Sequence, residues 1–186
     1  MKSRKIRRES AVLVVIDIQE RLLPAIHESE TLLKRVDVLS RGCHTLGIPV
    51  VVTEQYVKGL GPTASPVKTM LDETFGYRPI EKMCFSSFGC GEFSTQLETL
   101  GRKQVIVAGI EAHVCVYQTT LDLLDAGYDV YVVADAVSSR RTSDKETALA
   151  RLAAEGAKVV TSEMVLFEMT VTSGTDEFKA ISKLVK

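Results

Sequence analysis

Apolar, branched residues come in short runs along this chain, and between the runs apolar positions recur at helical spacing. AVLVVID at 11–17 is the first run. It ends in an acid and predicts a buried parallel strand, because strands covered on both faces read as continuous apolar stretches. The segment 29–47, SETLLKRVDVLSRGCHTLG, places Leu32, Leu33, Val36, Leu39 and Cys43 on one helical face and stops at Gly47. Further strands are predicted at 48–54, 78–85, 103–110, 129–135 and 157–161. The one at 78–85 is the weakest, and it follows a stretch with Gly and Pro, KGLGPTASP, that reads as a loop. Helices are expected at 91–101, 113–126 and 144–155.

Strand and helix in alternation predict an α/β fold of three layers, α/β/α, with a central, mainly parallel sheet of about six strands, since each parallel connection must cross over through a helix. The 186 residues suit one domain, 1–186, with a sizeable core.

Charge narrows the partners. Lys and Arg number 23 against 24 Asp and Glu, so bulk charge gives no sign of nucleic acid. Only the start, KSRKIRR, is markedly basic, and a solvated, frayed tail is the expectation there. No run of about 18 apolar residues would cross a bilayer, and no secretory signal opens the chain, so a cytoplasmic protein without membrane partners is expected. Cys43, Cys84, Cys90 and Cys115 lack Cys-x-x-Cys pairing and are expected as free thiols, with no metal site. The glycines of KGLGP and FGCGEF match no phosphate-loop pattern, so no nucleotide cofactor is expected.

Ligands of parallel sheets collect outside the carboxyl ends of the strands. Asp17 ends the first strand, Lys82 lies near the end of the third, and Cys115 follows the fourth on the first turn of a helix. An acid, an ammonium and a thiol on one rim suffice for nucleophilic catalysis. A free thiol titrates at about 8.5; a nearby cation and a helix N-terminus would draw it towards neutrality, with Asp17 working against them. Each residue also has a structural reading: Asp17 as a cap, Lys82 as a surface lysine, Cys115 as a small buried apolar residue.

The segments VVIDIQERL, PIEKMCFSSF and AGIEAHVCVYQTTLDLLDAGYDVYVVADAVSSR resemble the signature regions of the isochorismatase-like cysteine hydrolases, over essentially the whole chain. TEQYVKGLGPT and SEMVLFE are similar to the subgroup named isochorismatase domain-containing proteins. The resemblance implies a Rossmann-like fold and a catalytic triad of Asp17, Lys82 and Cys115. It implies a cis peptide between Ile110 and Glu111, which would set the Glu111 and Cys115 backbone amides as an oxyanion hole. It further implies a small-molecule substrate, no cofactor and a homo-oligomer, dimer or larger, for which SEMVLFEMTVTSG is a candidate interface. Gln19, Tyr56, Phe85 and Phe88 are candidates for the substrate pocket, and equally for plain packing.

Departures from relatives narrow the chemistry. Metal-assisted nicotinamidases of the family carry Asp-x-His after the second strand, where this chain has TEQYVKG and so lacks the imidazole a transition metal would want. Isochorismate cleavage is a vinyl-ether hydrolysis in which a nucleophilic cysteine has no necessary role. His113, two residues before Cys115, should face another side of the helix, which disfavours a Cys-His dyad. Two classes remain: a hydrolase of small amides or related carbonyl compounds acting through a thioester, and a fold-retaining interaction or assembly protein with little turnover.

Overall fold

The computed structural model describes residues 5–186. Its strands are β1 (Ala11–Ile16), β2 (Val50–Gln55), β3 (Pro79–Lys82), β4 (Gln104–Ile110), β5 (Asp129–Ser138) and β6 (Lys158–Val160). They form one sheet in the order β3-β2-β1-β4-β5-β6, every neighbouring pair parallel. The helices are α1 (Ser29–Thr45), α2 (Val57–Leu60), α3 (Ser65–Phe75), α4 (Gly91–Leu100), α5 (Cys115–Asp125), α6 (Thr142–Ala154), α7 (Ser162–Thr170) and α8 (Asp176–Leu184).

Successive strand residues point to opposite faces, so each apolar run feeds two cores. Leu13, Val15, Ile106, Ala108 and Val133 pack with Val36 and Leu39 of α1, Leu71 of α3, Leu166 of α7 and Ile181 of α8. Val12, Val14, Val105, Val107 and Val132 pack with Phe93 of α4, Val116 of α5 and Leu152 of α6. The layer changes sides between β1 and β4, and Asp17 follows the carboxyl end of β1 at that switch point, the place where parallel sheets gather ligands.

Four segments differ from the sequence expectation. KGLGPTASP is loop only in part: α2 occupies its start and α3 begins at Ser65, with Pro66 in the first turn, where a missing N–H costs nothing. SEMVLFEMT is α7; its Val165, Leu166 and Met169 are buried in the chain's own core, which leaves Met164 and Val171 as the exposed apolar side chains of the candidate interface. Gly42 of α1 lets α7 approach closely, since a Cβ there would stand 2.4 Å from Leu166. β5 runs past Asp135 to Ser138.

The fourth is the basic start. Lys2 and Arg4 lie outside the described residues, but the frayed-tail expectation fails from Ile6 onward. Ile6 is buried, the Arg7 amide donates to Gln104 Oε1, and Arg8 donates to the Met169 carbonyl at 2.6 Å and pairs with Glu177 at 2.8 Å. No helix among the described residues is long and apolar enough to cross a membrane.

Candidate active site

At the end of β1 the backbone of Asp17 turns into the left-handed region, φ 51°, which a short acidic side chain tolerates better than most. Asp17 is fully buried. Its Oδ1 accepts from Thr53 Oγ1 at 2.7 Å and its Oδ2 from Lys82 Nζ at 2.6 Å. Lys82 is the last residue of β3, two strands away, and only a long side chain spans that gap, since neighbouring strands lie about 4.8 Å apart. Its ammonium also donates to Gln55 Oε1 at 2.7 Å and to the carbonyls of Cys84 and Phe85 at 3.2 and 3.1 Å. Every N–H of this buried cation therefore has an acceptor, as burial of a charge requires.

Cys115 is the first residue of α5 and the third member of the group. Its thiol lies close enough to Asp17, Lys82 and Glu111 to feel the charge of each. Burial and then the Asp17 carboxylate push the thiol up to about 12, with Lys82 pulling the other way. The sequence expectation of a thiol drawn towards neutrality is thus reversed. Loss of solvent together with the negative charge of Asp17 outweighs the cation and the helix end. The resting sulfur is a thiol beside a carboxylate.

The peptide bond between Ile110 and Glu111 is cis. Gly109, φ 127°, leads into it: a Cβ there would stand 2.1 Å from the Ile16 carbonyl oxygen, so only glycine lets β4 lie against β1 at this point. The Glu111 carbonyl accepts the amides of Val114 and Val116, the Ala112 amide donates to the Ser138 carbonyl, and the Glu111 carboxylate is held by Arg140 Nε and N, each at 3.1 Å.

The pocket candidates separate. The Gln19 amide is spent on backbone, donating to the carbonyls of Gln55 and Gly61 and accepting from the Gln55 amide, so it fastens the loop after β1 to the end of β2. Phe88 packs edge-on against Tyr128, ring centroids 6.0 Å apart. Tyr56 and Phe85 are exposed and tied to Lys82 through backbone: the Tyr56 amide donates to the Lys82 carbonyl, and the Phe85 carbonyl accepts from the Lys82 ammonium. His113 turns to Ser139 Oγ, 3.0 Å from Nδ1, and towards Asp144. His44 meets Phe75 edge-on and His27 pairs with Glu28. All four cysteines are free.

Two site residues escaped the sequence reading, Thr53 and Gln55. They stand two apart in VVVTEQ, hence on one face of β2 with Glu54 on the other, and polar residues closing a buried run are the signal available.

The Isochorismatase domain model matches residues 11–164, and the chain belongs to that family. It is 40% identical over 179 residues to the "Secreted isochorismatase effector Isc1" of Phytophthora sojae, with 95% of this chain and 85% of the relative covered. Among solved structures it is similar to "MAR1 Ribonuclease from Caenorhabditis elegans", 37% identical with TM-score 0.88, covering 97% of this chain and 92% of that one. It is also similar to the YcaC product of Escherichia coli, described as an octameric hydrolase of unknown specificity, 22% identical with TM-score 0.90, covering 99% and 90%. The protein is an isochorismatase-family hydrolase.

Proposed function

We propose that the protein hydrolyses a small amide or related carbonyl compound through a thioester on Cys115. The observation that carries the reading is the buried contact set of Asp17 with Lys82 and Cys115, assembled from three distant parts of the chain. Asp17 takes the thiol proton as sulfur attacks the carbonyl carbon, so base and nucleophile act in one step rather than through a standing thiolate. The oxyanion is received by the backbone amides of Glu111 and Cys115, where loss of one donor typically costs about a hundred-fold or more. Asp17 returns the proton to the leaving amine, which departs and leaves the thioester. It then accepts a proton from water, which attacks the thioester carbon, releases the acid and restores the thiol. Lys82 fixes the carboxylate and balances its charge, while Thr53 and Gln55 orient the pair. Tyr56 and Phe85 line the mouth.

No cofactor enters this scheme. Four free thiols favour a reducing compartment, the cytoplasm, although the Phytophthora relative is named as secreted. A homo-oligomer is in keeping with the octameric Escherichia coli relative and with exposed Met164 and Val171. The near-neutral bulk charge gives no sign of a nucleic-acid partner, so RNA serves as a control substrate.

A hydrolytic screen over small amides and RNA, with intact-mass detection of the trapped enzyme, tests the reading. Amide turnover with an acyl adduct on Cys115, absent in Cys115→Ala, is expected. RNA cleavage unaffected by Cys115→Ala, or amide turnover that survives it, would overturn the mechanism.

A further inference from the structure

A second cleft of about 350 Å³ opens on the same rim of the sheet, between α1 and α6, and none of Asp17, Lys82 or Cys115 lines it. Its apolar wall includes Leu32, Val137 and Leu149, and its polar groups include Glu28, Asp135 and Lys145. Lys145 is half-buried in the first turn of α6, where the positive end of the helix dipole disfavours an ammonium. Among the described residues its side chain makes no hydrogen bond or close ion pair. By contrast, Asp135 is committed to the amide and hydroxyl of Ser162 and faces Arg35. A half-buried lysine that makes no hydrogen bond, set between an apolar wall and the carboxylates of Glu28 and Asp135, is an amine a carbonyl compound can reach. Burial lowers its pKa, while Glu28, Asp135 and Glu146 act in the opposite sense.

We propose that this cleft takes a small aldehyde or ketone with an apolar body, held as a reversible imine on Lys145 Nζ. The nitrogen lone pair forms the bond to the carbonyl carbon, and the carbonyl oxygen takes up a proton. That hydroxyl then leaves with a second proton as water while the C=N bond forms. No oxidant or reductant is needed. The neighbouring carboxylates select this product over a carbamate or an acyl adduct. A protonated imine keeps the positive charge facing Glu28 and Asp135, whereas a carbamate would add a further negative charge there.

The test is reductive trapping with propionaldehyde and cyanoborohydride at pH 7, followed by peptide mapping, with exposed Lys179 as the internal reference. Lys145 is expected to gain a propyl group several-fold faster than Lys179. Its rate should saturate with aldehyde concentration. Lys145→Arg should lose this adduct alone, and Glu28→Gln should raise the Lys145 rate. Labelling of Lys145 no faster than Lys179, or a strictly linear dependence on aldehyde, would overturn the proposal. The Cys115→Ser variant should label alike, which separates this outcome from the fate of the hydrolase reading.

Discussion

Lys82 Nζ lies 2.6 Å from Asp17 Oδ2 with both side chains fully withdrawn from solvent, although their strands are separated by β2. A buried pair of this kind is weak as a source of net stability but costly to break, because the surviving charge is left alone in an apolar surround. Lys82→Met should therefore destabilise the protein by about 3 to 5 kcal/mol in urea unfolding. Adding Asp17→Asn should restore most of that loss, since the orphaned carboxylate is then gone. Equal destabilisation of the single and double variants would show that the pair is not coupled.

Gly109 offers a test of how the loop before Cys115 is held. A methyl group there meets the Ile16 carbonyl oxygen at 2.1 Å and the Ile16 nitrogen at 2.6 Å, both backbone atoms paired in the sheet. Gly109→Ala should cost about 2 to 4 kcal/mol, from close contact and from the positive φ together. Measured by thermal or urea unfolding, a neutral effect would mean that β1 and β4 can part without penalty.

The sequence carried the parallel sheet and the positions of Asp17, Lys82 and Cys115, because unbroken apolar runs and the rule that ligands gather at strand ends need no coordinates. It missed α3 because Gly61, Pro62 and Pro66 read as breakers, and whether a proline opens a helix or ends one depends on the residues C-terminal to it. It missed the shared roles of Thr53 and Gln55, which depend on a lysine reaching over β2. The sign of the Cys115 shift was also out of reach: burial, Asp17 and Glu111 act against Lys82, and only distance and burial rank them. The tail reading failed at Arg8 because its acceptors, Met169 and Thr170, lie over 160 residues away.

Buried thiols also set the alkaline limit of the fold. Cys43 is fully buried and its thiol is pushed up to about 12 by loss of solvent. The unfolded chain releases that proton at about 8.5, so between there and about pH 12 the folded state binds more protons than the unfolded one. The unfolding free energy must then fall as pH rises, by about 1.4 kcal/mol per pH unit for a fully protonated buried thiol. Cys115 contributes in the same sense, and Tyr77, pushed up to about 12 by burial and by its bond to Glu54, joins at higher pH. Unfolding curves from pH 9 to 11 should show the decline, and Cys43→Ala should flatten it by one thiol's share. An unchanged slope would place the loss of stability elsewhere.

One sulfur senses a carboxylate and an ammonium in opposite directions. The most direct measurement is the pH profile of Cys115 alkylation by iodoacetamide, resolved by peptide mass, in the wild type, Asp17→Asn and Lys82→Met. The wild-type rate should still be rising at pH 10; Asp17→Asn should move the profile to lower pH by at least about one unit, and Lys82→Met should move it higher. Profiles that coincide in all three proteins, or that shift in the same direction in both variants, would contradict the account.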